Sequence, residues 1–341
     1  MTAPALPFEV SRRRLALGLV FAAVAVTGLY VLLPRLAGLD ETWHRLGTGD
    51  PWWLAAAVGF EVLSYASYML LFRLVFAAEN DRIGRRVSYQ ITMAGVAATR
   101  LLAAGGAGGI ALTAWAVRRA GVPAHRVATS LAAFLVLLYA VFMLALLFGG
   151  VGLRLGLLEG PAPFALTVIP AILGAVVVAL ALALALVPDD VARWQGHSSR
   201  VMRWLAAAPA AVGAGVREAI ARLRTGDVRL AGAIGWWAFD IAVLWACLHA
   251  FGSPPSVAAT VMAYFVGTLG NLLPVPGGVG GVEAGMIGAL IGFGVSSGLA
   301  IVAVLAYRAF AYWMPLVPGT VAYVQLVRTV HRWQRAGARV A

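Results

Sequence analysis

Six apolar runs dominate this chain, at approximately 15–34, 52–76, 126–148, 163–187, 229–250 and 297–317. A helix crosses a bilayer with about 20 apolar residues, whereas a membrane strand needs only ~10 and alternates in polarity. Hydrocarbon offers backbone amides no partner, so each segment must satisfy its own, which again selects helices. The chain is therefore expected to be all-α, a polytopic membrane helix bundle that forms a single integral membrane domain over 1–341. Only 12% of residues are charged, against about 25% in soluble domains, so a water-facing catalytic domain is excluded. Arg12, Arg13 and Arg14 precede the first run, and Leu33-Pro34-Arg35 ends it without a small-x-small cleavage site. That run is read as an uncleaved first span.

Two further apolar regions behave differently. Region 88–120 is interrupted by Ala104-Gly105-Gly106-Ala107-Gly108-Gly109, and region 256–293 by Pro274-Val275-Pro276-Gly277-Gly278-Val279-Gly280-Gly281. Proline removes a backbone donor and glycine lacks helix preference, so neither region continues as one helix. The stretches that follow, Ile110 to Val117 and Val282 to Phe293, reach only about 12–18 Å and cannot cross a core of about 30 Å. Both regions are predicted to be re-entrant hairpins: a half-helix in, a glycine tip, a half-helix back.

The net charge is +12, with no lysine, so every fixed cation is an arginine. A basic total can signal nucleic acid, but these arginines cluster between apolar runs, the pattern that orients membrane proteins. No nucleic-acid partner is expected. With both hairpins re-entrant, one side receives Arg12–Arg14, Arg82, Arg85, Arg86, Arg118, Arg119, Arg126, the 193–229 cluster and the arginines from Arg328 onward. The other side receives only Arg35, Arg45 and Arg154. This asymmetry predicts a multi-pass protein of the cell membrane with both termini cytoplasmic. The basic linker 188–228 reads either as short amphipathic helices on the cytoplasmic surface or as a solvated loop.

The two interrupted regions resemble each other at an offset near 172. Leu101-Leu102, Gly105-Gly106-Ala107-Gly108-Gly109-Ile110 and Gly121-Val122 match Leu272-Leu273, Gly277-Gly278-Val279-Gly280-Gly281-Val282 and Gly294-Val295. Spans flank each region, and the predicted topology brings the hairpins in from opposite sides. An inverted repeat follows as an expectation, with one unit at about 52–148 and the other at about 229–317.

Ionisable side chains inside the membrane are costly and mark candidate sites. Glu61 and Asp240 lie mid-span, Arg308 lies mid-span in 297–317, and Arg100 and Glu283 flank the tips. Glu61 with Arg100, and Asp240 or Glu283 with Arg308, are plausible couples, whether they hold the bundle together or line a polar cavity. Arg73, near the end of its span, is expected to snorkel. The half-helices after the tips would begin near the membrane centre with unpaired amides and a positive dipole end. Glycines there (Gly105, Gly106, Gly277, Gly278, Gly280) would let an anionic group approach closely. Glu283 would repel that group unless Arg308 neutralises it or it is protonated.

Lysine-dependent P-loop and Schiff-base chemistry are ruled out. The five histidines lack metal-ligand spacing, no Gly-x-Ser-x-Gly elbow is present, and the single Cys247 reads as a small core residue. No cofactor, metal or enzymatic activity is expected.

The run from Asn271 to Gly285 resembles the signature of the lysylphosphatidylglycerol synthase transmembrane-region family, the flippase-like membrane proteins, through Pro274, Pro276, Gly277, Gly278, Gly280 and Glu283. Asp240-Ile241, Ala250-Phe251-Gly252, Tyr307-Arg308, Tyr312-Trp313, Pro315 and Gly319 extend the likeness. Arg119-Ala120-Gly121-Val122-Pro123 carries it into the first half. Leu102-Ala103-Ala104-Gly105 departs from the family by lacking a proline before the first glycines. The resemblance implies a membrane region that moves lipid between leaflets, without the soluble aminoacyl-transfer domain, and it adds Tyr307 and Tyr312 to the site. The expected substrate is a membrane phospholipid, anionic or aminoacylated, or a lipid-linked intermediate. A small-solute transporter and a non-transporting partner of a separately encoded lipid-modifying enzyme are the alternatives.

Overall fold

The computed structural model describes residues 47–77, 80–101, 107–186, 200–272 and 278–337. The first predicted span, the linker segment 187–199 and the centres of both tips, with Gly105, Gly106 and Gly277, lie outside them. The described residues are helical and contain no strand. Helix α1 (Pro51–Phe72) continues as a π-helical segment, Arg73–Ala77. There follow α2 (Arg85–Leu101), α3 (Ala107–Arg119), α4 (Ala124–Arg154), α5 (Phe164–Ala185), α6 (Arg200–Arg224) and α7 (Ala231–Phe251). Last come α8 (Val257–Thr268), α9 (Gly281–Gly292), α10 (Ser297–Arg308), a second π segment (Ala309–Trp313) and α11 (Leu316–Gly337). Five helical stretches are long and apolar enough to cross a membrane: Pro51–Ala77, Ala124–Arg154, Phe164–Ala185, Val228–Phe251 and Ser297–Arg335. This is a multi-pass membrane bundle, as the apolar runs predict.

Local chemistry sets the helix ends. Asp50 accepts a hydrogen bond from the Trp52 amide at 2.8 Å with Pro51 at the first helical position, opening α1. Ser256 does the same for α8 through the Ala259 amide at 3.2 Å. Gly121 and Gly294 close α3 and α9 with φ of 102° and 91°, backbone that L side chains avoid. The next residue, Val122 or Val295, returns its amide to the carbonyl five residues back. The shared Gly-Val dipeptide therefore encodes the same stop twice.

Contacts fix the two ends of the bundle. At one, Asn80 Nδ2 donates to the Ala120 carbonyl and Arg222 Nη1 to the Leu74 carbonyl. At the other, Asp50 N donates to the Ala250 carbonyl, Gly160 meets Ser256, and Gly292 meets Leu166. Hairpin α2–α3 opens at the first end and α8–α9 at the second, so they reach inward from opposite ends. Their halves lie side by side with almost no space between backbones. A Cβ on Gly109 would meet the Gly95 carbonyl oxygen at 2.7 Å, and one on Gly267 would meet Met286 N at 2.7 Å. Among the described residues the first end carries Arg82, Arg85, Arg86, Arg118, Arg119, Arg126, Arg217, Arg222 and Arg224 of α6 and the arginines of α11, and the opposite end only Arg154.

Three expectations need correction. The last span does not stop near 317: α10 breaks at the π segment, and α11 continues to Gly337, antiparallel against α2. The linker over 200–224 is one long helix rather than short ones or a solvated loop, and it packs on α4 and α5. Its Gly213 backs on the Leu184 carbonyl, and Arg217 donates to the Ala185 carbonyl at 3.1 Å. Arg73 does not snorkel fully, because its Nη1 is buried with no hydrogen-bond partner among the described residues. Cys247 is a wholly buried core residue, as expected.

Candidate functional site

Helices α1 and α7 run antiparallel as the most extensively packed pair. They cross where Ser64 Oγ donates to the Trp236 carbonyl at 2.9 Å, two residues separated by 172 positions, the offset of the repeat. Glu61 lies three residues before Ser64 and Asp240 four residues after Trp236. On antiparallel helices both acids therefore rise about 4.5–6 Å from the crossing in the same direction. They reach one level of the bundle and interact electrostatically.

The described residues that flank the two tips, Arg100 on α2 and Glu283 on α9, arrive near that level. Arg100, on the last turn of α2, donates from Nη1 to the Tyr312 carbonyl at 2.8 Å and from Nη2 to the Ala311 carbonyl at 2.5 Å. Nη2 also reaches the Tyr65 hydroxyl at 2.6 Å, and the Tyr312 hydroxyl returns a bond to the Arg100 carbonyl at 3.1 Å. The cause is local. Pro315 stands four residues after Ala311 and has no amide to offer that carbonyl. The π segment, closed by Met314 N to Ala309 O, displaces the neighbouring bonds. A charged donor from another helix takes the released carbonyls.

At the second tip Arg308 Nε pairs with Glu283 Oε1 at 2.6 Å, with both side chains buried. The Arg308 guanidinium also lies 4.3 Å from the centroid of the Tyr312 ring. Glu283 Oε2 accepts from the Gly280 amide at 2.7 Å. The start of α9 is thus capped by its own carboxylate and is not the open anion site expected there. Asp240 Oδ2 accepts from the Tyr264 hydroxyl at 2.5 Å and the Tyr307 hydroxyl at 3.3 Å.

The structure thus gathers Glu61, Arg100, Asp240, Glu283, Tyr307, Arg308 and Tyr312 into one cluster, with Gly278 and Gly280 at its edge. Of the expected couples, Glu283–Arg308 forms. Glu61 and Arg100 interact only at longer range, because carbonyls and Tyr65 occupy the guanidinium. Asp240 is partnered by tyrosines rather than by Arg308. Sequence reasoning missed Tyr65 and Tyr264. Tyr65 was findable, one turn from Glu61, while Tyr264 comes from a distant helix and carries no local signal. Among the described residues no group of three or more His, Cys, Asp or Glu could hold a metal.

Fold and site together define a polytopic membrane protein whose two opposed hairpins close on a buried charged cluster. Residues 16–319 match the family described as lysylphosphatidylglycerol synthase TM region, and the chain belongs to that family. The family is a membrane domain associated with lipid handling. A UPF0104 membrane protein of Methanothermobacter thermautotrophicus is 30% identical over 92 residues, 27% of this chain and 26% of that protein. The match spans about a quarter of that relative's length.

Proposed function

We propose that this protein moves phospholipid between leaflets, the headgroup being anionic or aminoacylated or belonging to a lipid-linked intermediate. The observation that carries this reading is the convergence of both tips on residues 308–312, which sets two arginines and three carboxylates where a membrane protein otherwise avoids charge. Membership of a lipid-handling family supports it. So does the geometry of opposed hairpins, which suits an inverted repeat that presents one site alternately to each leaflet. The arginine-rich end then faces the cytoplasm. Arg308 exchanges Glu283 for the passing phosphate, a partner its forked donors fit equally well.

The test is reconstitution into vesicles with a fluorescent phosphatidylglycerol, followed by chemical quenching of the outer leaflet. Wild type exposes the inner pool. Arg308→Ala slows this by roughly tenfold or more, the factor that about 1.4 kcal/mol of lost contact gives. Glu283→Gln combined with Arg308→Gln keeps the buried charge balanced and is equally slow. Equal exposure with protein and with empty vesicles removes the reading.

A further inference from the structure

Among the described residues the charges of the cluster do not cancel. Glu61, Asp240 and Glu283 face Arg100 and Arg308, three negative against two positive, and the tip segments 102–106 and 273–277 add no ionisable side chain. Arg308 is in contact with Glu283, and Arg100 is held by two carbonyls and Tyr65. Among the described residues, Glu61 and Asp240 have no cation in hydrogen-bond contact. Glu61 is only 2% exposed, and its Oε2 has no hydrogen-bond partner among the described residues. Asp240 Oδ1 is buried and equally unpartnered. The two acids stand at one level on facing helices, so one missing positive charge and two unsatisfied oxygens occur in one place.

We propose that Glu61 and Asp240 form a proton-binding dyad, loaded with one exchangeable proton that travels with the headgroup. A single proton bound by either acid brings the cluster to neutrality, where an ionised pair in this setting is heavily penalised. A metal ion fits less well. Hard cations take about six oxygen ligands, whereas here two oxygens are open and the nearby hydroxyls of Tyr264 and Tyr307 already donate to Asp240. The groups facing the dyad are Tyr65 from α1, Arg100 from α2 and Tyr264 from α8. Tyr307 and Arg308 from α10, Glu283 from α9 and Tyr312 from the π segment complete the set. Arg73 and Arg229, further along α1 and before α7, are displaced by about 16–18 Å of helix rise.

Proton binding stands independently of the phospholipid reading, and the coupling rests on it. A monoanionic headgroup with one proton carries no net charge, so a pH gradient drives the movement and membrane voltage does not.

Two measurements separate the parts. Infrared difference spectroscopy of the purified full chain in detergent, titrated across its folded pH range, is expected to show a protonated carboxyl band that fades as pH rises. The band is lost in Glu61→Gln with Asp240→Asn. No such band in wild type, or an unchanged band in the double variant, overturns the dyad, and the wild-type titration decides even if the variant fails to fold. In vesicles, fluorescent phosphatidylglycerol is expected to accumulate toward the alkaline leaflet by up to roughly tenfold per pH unit. An imposed potassium diffusion potential has no effect, and the double variant loses the response. Downhill movement that ignores pH, or that follows a sodium gradient instead, overturns the coupling. A titrating band with no lipid movement at all upholds the dyad and overturns the phospholipid reading.

Discussion

The two hairpins share a backbone plan and differ in what they bury. In the first, α2 buries Ser88, Gln90 and Thr92. Gln90 Nε2 donates to Gln325 Oε1 at 3.4 Å, and Thr329 Oγ1 donates to Gln90 Oε1 at 3.1 Å, both partners on α11. In the second, α8 and α9 bury Met262, Phe265, Met286 and Leu290. The first tip sends a cation, Arg100, into a neighbouring element, whereas the second keeps an anion, Glu283, on its own helix start. Close glycine packing sets the shape of a hairpin, and the residues around the glycines set its electrostatic role. Opposite charges let both tips fasten to the same short segment, 308–312.

The comparison can be broken most forcefully at the second tip. Arg308→Ala strands a buried Glu283 and is expected to cost about 3–5 kcal/mol, with Glu283→Ala similar and the double variant recovering most of it. Thermal unfolding in detergent reads this, and additive losses would mean the pair is not coupled. At the first tip, Arg100→Met leaves the Ala311 and Tyr312 carbonyls without their donor. About 2–4 kcal/mol is expected, since a hydrogen bond to a charged group is worth ~1.5–3 kcal/mol and two made by one guanidinium are not additive.

The glycines sharpen the contrast. Gly95 and Gly267 are 172 positions apart. A Cβ at Gly267 would run into Met286 Cγ and lie 2.7 Å from its backbone N, whereas one at Gly95 meets nothing nearer than 3.6 Å. Gly267→Ala should lose about 1–3 kcal/mol by overpacking, while Gly95→Ala stays within ~0.5 kcal/mol, its helix preference even helping. Equal unfolding temperatures for the two would show that the hairpins pack alike. A modest effect is expected from Gln90→Leu, which leaves Gln325 and Thr329 short of a partner at about 1–2 kcal/mol. Restoration by Gln325→Leu in the same chain would mark the polar seam as its source.

Much of this was legible in the sequence because membrane folding reduces to lengths. The five described spans, both hairpins and their opposite approach follow from apolar run length and arginine placement. Gly121-Val122 and Gly294-Val295 were visible as a match before their shared role as helix stops. The site was legible only in part. Hydropathy marks Glu61, Arg100, Asp240, Glu283 and Arg308 as anomalous, yet it cannot say which meets which. Pairing depends on helix rotation and on which carbonyls a proline releases. The combination of Pro315 with Ala311 four residues earlier, which decides the fate of Arg100, has no counterpart in a charge count. The unbroken helix over 200–224 was obscured by its arginines, which read as solvent-facing until the carbonyls of Leu74 and Ala185 supply partners.

Pro315 has a mechanical consequence. Elsewhere in a helix, a side chain that lets go of a carbonyl hands it back to the amide one turn on, so the grip can slip at little cost. The Ala311 carbonyl has no such heir. Arg100 is therefore a latch without a fallback, fastening the first hairpin to the segment that leads into α11. If the protein moves lipid as proposed, a crosslink between α2 and α11 should leave that movement intact, whereas one that fastens either of them to α7 should stall it.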